Sequence, residues 1–192
     1  MTEIIIFLGA PGSGKGTQAS KLADGFGFKH ISTGDMLRSN VKLMTDLGMK
    51  ANKYMKNGDL VPDNLIIEMV MDSLSSYKES TVILDGFPRT ENQAMSLDSK
   101  INVLDIILKK VLFLDVNDQD VVGRLALRGR DDDSHELVIN RLNVYKKETT
   151  PLLEYYKSTN RLIRIEGGNT TEEVFGSVLE NLSLNNKNEV SK

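Results

Sequence analysis

Apolar and polar positions along this chain follow two rhythms that take turns. Apolar runs at Ile4–Leu8 and Thr81–Leu84 read as buried strands, the apolar-rich stretches Lys110–Asp115 and Leu162–Ile165 as further strands, and the more polar Phe28–Ser32 as a short one. Between them the apolar residues recur at three and four positions, the spacing of a helix face. Such segments run from about Thr17 to Asp24, from Met36 to about Asn40, and from Pro62 to about Leu74, where Leu65, Ile66, Met69 and Val70 repeat and Pro62 suits an early helical position. Helical sequence continues in a polar stretch to about Ser99 and through Val121, Val122, Leu125 and Ala126. An amphipathic helix is expected from Ser134 to about Tyr156, interrupted near Pro151, and a last one from Thr171 to Leu182.

Thr33-Gly34-Asp35 punctuates the chain, and Gly58 to Asp63 forms a second break. The polar segment Val41–Asn57 between them keeps Val41, Leu43, Met44, Leu47, Met49, Ala51, Tyr54 and Met55 at roughly helical intervals. Residues 33–61 therefore read as a small helical insertion on a core. The tail Asn185–Lys192 reads as disordered. Strands alternating with helices predict an α/β fold, a five-stranded parallel sheet with helices on both faces and ligands at the carboxyl ends of the strands.

The 192 residues fit one full core, and 40% apolar with 27% charged residues is ordinary for a globular chain. A net charge of −3 provides no global positive field for nucleic acid, so any anion site is built locally. There is no cysteine, which excludes disulfides, thiolate zinc sites and a cysteine nucleophile. Ile4–Leu8 is too short for a signal-peptide core, and no run approaches membrane-spanning length; cytoplasmic residence without membrane partners is the expectation.

The first strand runs into Gly9-Ala10-Pro11-Gly12-Ser13-Gly14-Lys15-Gly16-Thr17. Glycines let successive backbone N–H groups converge on one point, a helix N-terminus adds positive potential there, and Lys15 supplies a full charge. That is the G-x-x-x-x-G-K phosphate loop in its strand–loop–helix context, of P-loop NTPase type, and its ligand is a nucleotide triphosphate tail. Gly16 stands where the general pattern has Ser or Thr, and the hydroxyl arrives at Thr17. A tight strand-to-helix turn with a solvated lysine is the bland alternative. Asp85 ends an apolar strand, a position that can reach a magnesium shell through water, or simply serve the Asp-Gly turn.

Gly9 to Gln18, Ser32-Thr33-Gly34-Asp35-Met36-Leu37-Arg38, and Asp85-Gly86-Phe87-Pro88-Arg89-Thr90 with Gln93 together resemble the nucleoside monophosphate kinases, most specifically the adenylate kinase family in its short-lid form. The resemblance spans Ile4 to about Phe175, and Gly16-Thr17 is the family's normal form. It implies reversible Mg²⁺-dependent transfer from ATP to AMP giving two ADP, with Gly12, Ser13, Gly14, Lys15, Gly16 and Thr17 on the ATP phosphates and Lys15 stabilising the moving charge. Arg124, Arg128 and Asn169 would complete the ATP site. Thr33, Arg38, the backbone of Asp59, Leu60 and Val61, then Gly86, Phe87, Pro88, Arg89 and Gln93 would surround AMP. The family's UMP/CMP-type members usually carry alanine at the Thr33 position, and Gln93 suits the adenine edge. Arg130 and Arg141 would reach the transferring phosphoryl and AMP. The catalytic set is then Lys15, Asp85, Arg89, Arg124, Arg130 and Arg141, with Asp85 holding Mg²⁺ through water and no zinc.

The implied organisation is core 1–32, NMP-binding insertion 33–61, core 62–123, short lid 124–133 and core 134–192. The lid is unusually short, with only Gly129 between Arg128 and Arg130. Asp133 with Glu136 reads as a capping box opening the long helix, against a direct catalytic role for Asp131, Asp132 and Asp133. His30 and His135 lack ligand partners at metal spacing and read as structural, and Met36, Met69 and Met71 as core filler or pocket wall. A monomer acting on ATP, AMP and ADP is expected. A UMP/CMP kinase of the same fold and a slowly hydrolysing nucleotide-binding regulator stand as alternatives.

Overall fold

The first strand, β1 (Thr2–Leu8), explains why the sheet lies in the middle of the molecule. Ile4, Ile6 and Leu8 face one side, Ile5 and Phe7 the other, and all are at most 2% exposed. A strand apolar on both faces must be covered on both. In this computed structural model, which describes residues 1–130 and 133–185, the chain continues as α1 (Lys15–Phe26), β2 (Lys29–Ser32), α2 (Thr33–Lys42), α3 (Asp46–Met55), α4 (Asp63–Ser75) and β3 (Thr81–Asp85). Then follow α5 (Glu91–Val103), β4 (Ile106–Asp115), α6 (Asp118–Arg128), α7 (His135–Val144), a π-helical turn (Tyr145–Thr149), α8 (Pro151–Ser158), β5 (Leu162–Glu166) and α9 (Thr171–Asn181). Asp131, Asp132 and tail residues 186–192 lie outside the described residues, and with them part of the expectations for the lid and tail.

Among the described residues five strands form one parallel sheet, in the order β2-β3-β1-β4-β5. Ala19 and Leu22 of α1 with Val174, Val178 and Leu179 of α9 cover the Ile5/Phe7 face. The opposite face packs on Leu37, Val70, Leu74, Ala94, Leu97, Leu152 and Tyr156 from the remaining layer. A third cluster, Ala10, Val116, Val121, Leu125, Val138 and Leu142, seats α6 and α7 over the carboxyl end of the sheet. Leu84 is 0% exposed, and truncating such a residue to alanine costs about 2–5 kcal/mol.

Several element boundaries differ from expectation for physical reasons. Thr33-Gly34-Asp35 is the first turn of α2, because the Ser32 hydroxyl accepts the Asp35 N–H at 3.3 Å and caps the helix. The helical insertion breaks at Met44, whose φ is +53°, and restarts where Thr45 caps α3. Pro62 precedes α4 as its cap residue. β4 begins at Ile106, earlier than the apolar run, since Ile106 and Leu108 are buried while Ile107 and Lys109 alternate outward. Pro151 has no N–H to give, and the chain passes it through the π-helical turn, where Thr150 N–H bonds Tyr145 at 3.0 Å.

Asp133 and Glu136 do not form a capping box. Ser134 precedes α7 with no side-chain cap bond, and Asp133 is turned toward arginines. The reciprocal box is instead at Thr170 and Glu173, opening α9.

Candidate active site

The register of the sheet sets the site. Phe7 of β1 and Ser32 of β2 both stand level with Asp85 of β3, so the loop after β1, the cap of α2 and the Asp85 carboxylate emerge side by side at the carboxyl edge. Gly14, at φ +97°, turns the loop into α1. A Cβ on Gly16 would lie 3.3 Å from Asp85 Oδ2, so the absence of a side chain lets the loop backbone sit against that carboxylate. Here Gly16 has a steric role of its own.

Lys15 Nζ donates to the carbonyls of Gly9 and Ala10, each at 2.8 Å, and lies 3.4 Å from Ser13 Oγ. Burial is the main force on this ammonium; Asp85 opposes it, Arg89, Arg141 and Arg128 add to it, and the pKa is lowered to about 8. Burial pushes the Asp85 carboxyl up, but the contact with His30 and the charges of Lys15 and Arg89 outweigh it and hold the group below the ordinary carboxylate range. His30 Nε2 is 3.4 Å from Asp85 Oδ2 without a formed hydrogen bond. The structural histidine of the sequence reading is therefore part of the site wall. Its signal was only its place two residues before Ser32, since His30 stands level with Ile83 and so shares a sheet face with Asp85.

A cavity of about 770 Å³ runs along this edge, lined by Gly12, Ser13, Gly14, Lys15, Gly16, Thr17, Asp85, Arg124, Arg128 and Asn169, and also by Pro88 and Arg130. Arg124 and Arg128 reach it from α6, where Arg124 Nη2 donates to the Gly167 carbonyl at 2.9 Å. A smaller cavity of about 80 Å³ opens beside it, lined by Thr33, Arg38, Asp59, Leu60, Val61 and Gln93. Arg38, Gly86, Arg89 and Arg141 line both. Phe87 lines neither; its side chain is fully buried in the core, so only its backbone remains near the site.

The small cavity is held by bonds between elements. Thr33 Oγ1 donates to the Gly86 carbonyl at 2.9 Å, and Arg89 Nε donates to the same carbonyl at 2.8 Å. Gly86 has φ +79°, and a Cβ there would stand 2.8 Å from both Thr33 Oγ1 and Arg89 Nη2. Arg38 pairs with Asp35 at 2.6 Å. Burial lowers the pKa of Arg89, with Asp85 opposing, and leaves it a cation. Asn140 of α7 reaches across to the Asn57 carbonyl at 2.6 Å, tying α7 to the turn after α3.

Asp133 gathers arginines from the end of α6, from the turn between α6 and α7 and from α7 itself. Its carboxylate, 3% exposed, accepts from Arg128 Nε at 2.8 Å and Nη2 at 2.5 Å, from Arg141 at 3.3 Å, and from the Arg130 backbone N–H at 3.2 Å. Residues that the sequence did not single out include Thr149, whose hydroxyl donates to the Arg89 carbonyl at 2.9 Å, and Asp63, which binds Gln93. Their side chains come from distant turns, and no local pattern marks them.

The family model described as adenylate kinase matches residues 7–161. The chain is 46% identical over 180 residues to an adenylate kinase of Trichodesmium erythraeum, covering 91% of this chain and 94% of that one. It is 42% identical over 186 residues to an adenylate kinase of Thermus thermophilus, covering 95% and 98%. With an adenylate kinase of Hydrogenobaculum the identity is 40% over 203 residues, covering 90% and 96%. A phosphate loop facing a second, arginine-lined cavity, matched by a family model over most of the chain, leads to one conclusion: the chain belongs to the adenylate kinase family.

Proposed function

We propose that the large cavity takes ATP, the small one takes AMP, and the chain moves the terminal phosphoryl group between them reversibly, giving two ADP. The observation that carries this reading is the set of arginines common to both cavities, Arg38, Arg89 and Arg141. Cations shared by two cavities lie where a group passes from one ligand to the other, and a single-nucleotide switch has no use for them.

In the reaction an AMP phosphate oxygen attacks the γ-phosphorus, the bond from that phosphorus to the β,γ-bridging oxygen breaks, and ADP leaves with the bond's electrons. No covalent help from the protein is needed. The loop N–H groups from Gly12 to Thr17 and Lys15 take the ATP phosphates, and Lys15 leaves the Gly9 and Ala10 carbonyls to do so. Arg89 and Arg38 hold the AMP phosphate so that its oxygen points at phosphorus, and Arg124, Arg130 and Arg141, with Arg128 beside them, neutralise the equatorial oxygens. Arg124 and Asn169 border the donor nucleotide. Closure of residues 33–61 and the short lid keeps water from the transferring group.

Asp85 is the residue that would hold Mg²⁺, through water. It fits: its carboxyl is kept ionised and the side-chain-free Gly16 leaves it open to the loop. Among the described residues no group of three His, Cys, Asp or Glu gathers, so most of the ion's shell falls to phosphate oxygens and water. When bound, the ion adds positive charge to the β- and γ-phosphate oxygens.

No helix among the described residues is long and apolar enough to cross a membrane. A cytoplasmic monomer working on free nucleotides, without nucleic acid or membrane partners, goes with this reading. The test is an acceptor panel of AMP, UMP, CMP and GMP with ATP and magnesium, read as ADP production. AMP is expected to lead; preference for a pyrimidine overturns the assignment of Thr33 and Gln93.

A further inference from the structure

Gln93 sits in the first turn of α5, 2% exposed, and lines the smaller cavity beside Thr33 and Val61. Both ends of its amide are engaged within the protein. Nε2 donates to Asp63 Oδ1 at 2.7 Å, and Oε1 accepts from the Arg89 backbone N–H at 2.7 Å. An ionised carboxylate can only accept and a backbone N–H can only donate, so the two partners leave the amide one orientation. Asp63 is itself fixed, because Oδ2 accepts from Thr90 Oγ1 and from Asn92 Nδ2, each at 2.9 Å.

A primary amide has two N–H donors and two carbonyl lone pairs, so one of each remains after these bonds. A 6-aminopurine presents an acceptor at N1 beside a donor at N6, and a 6-oxopurine presents the reverse. An amide free to turn about its last torsion serves either base equally. One that cannot turn serves only one, because reversal sets carbonyl against carboxylate and NH₂ against N–H.

We propose that Asp63 is a specificity-determining positioning residue: by accepting the Gln93 Nε2–H bond, opposite the Arg89 N–H that holds Oε1, it locks the amide in the orientation that pairs with a 6-aminopurine and rejects a 6-oxopurine. This rests on the smaller cavity being the AMP site. Asp63 touches no substrate and acts through Gln93.

The test compares kcat/KM for AMP and IMP, at saturating ATP, in the wild-type chain, Asp63→Ala, Asp63→Asn and Gln93→Ala. Asp63→Ala removes the acceptor, and the AMP-to-IMP ratio is expected to fall at least tenfold while KM for ATP stays within twofold. Asp63→Asn keeps the volume and the start of α4, guarding against a folding failure. Its oxygen can keep the Thr90 and Asn92 bonds, which turns its NH₂ toward Gln93 and favours the reversed amide, so its ratio is expected to fall at least as far. A merely structural role lowers both acceptors together and leaves the ratio in place. If Gln93→Ala relaxes the ratio but both Asp63 variants keep it within twofold, the locking role is overturned and the AMP-site reading stands. If Gln93→Ala leaves the ratio unchanged, or the wild type does not phosphorylate AMP, the reading of the cavity and the role of Asp63 fall together.

Discussion

Replacing Asp133 by alanine separates two accounts of the segment before α7. As a helix cap, Asp133 would matter only to the start of α7, but its carboxylate holds Arg128 in two hydrogen bonds, touches Arg141 and accepts the Arg130 N–H. Taking one partner from a buried ion pair costs about 3–5 kcal/mol. Arg128 and Arg141 keep 29% and 19% of their side-chain surface, so hydration recovers part of that and about 2 kcal/mol remains. For a chain of this size that is a fall in Tm of about 4–8 °C. If the same contacts hold the guanidiniums ready for transfer, kcat falls by up to about 30-fold. The Nε and one Nη2 hydrogen of Arg128 are used by Asp133, leaving three of its five N–H groups for phosphate oxygens. The assays are thermal unfolding and coupled ADP production on one preparation. A drop in Tm of this size with kcat within threefold of wild type would refute the organising role and leave Asp133 a purely local stabiliser.

Other consequences follow from the same geometry. With the Lys15 pKa lowered to about 8, kcat/KM for ATP in the free enzyme should decline on a basic limb centred there, and kcat should hold to higher pH because bound phosphate favours the ammonium. Unfolded lysine, near 10.5, binds more protons than folded Lys15 between those values, so this group makes stability rise with pH across that window, which urea titrations at pH 8 and pH 10 can check. Lys15→Met should lower kcat by about 10²–10³ with an unchanged circular dichroism spectrum; near-normal turnover would remove the loop from the mechanism. Arg89→Ala should cut kcat/KM for AMP by about 10² or more with KM for ATP little changed, since loss of a phosphate-clamping cation costs about 3 kcal/mol, and equal losses for both nucleotides would contradict the two-cavity map. Thr33→Ala deletes the 2.9 Å bond to the Gly86 carbonyl, worth about 1 kcal/mol, and should weaken AMP binding about fivefold by calorimetry.

The α/β alternation, the five strands and the phosphate loop were legible in the chain because each depends on near neighbours: β-branched runs, a glycine-rich turn and a lysine at fixed spacing. Strand and helix ends were less legible. They depend on which side chain caps the helix: Ser32 caps α2 and makes Thr33-Gly34-Asp35 its first turn, whereas Asp133 and Glu136 have the spacing of a box but α7 opens at Ser134 without a side-chain cap bond. The first half of β4 was less legible because Lys109 and Lys110 separate the short Ile106-Ile107-Leu108 run from the apolar run that follows.

By itself, then, the sequence determined the layered parallel fold, the anion-binding loop and the residue types that line the two cavities, all of them properties carried by short stretches. Tertiary structure alone decided which groups act on one another. His30 meets Asp85 because β2 and β3 pair in a particular register. Asp133 collects arginines from α6 and α7, Thr149 bonds the Arg89 carbonyl from a π-helical turn, and Asp63 reaches Gln93 across 30 positions of chain. Such contacts depend on distances between elements, which packing sets and no local pattern encodes.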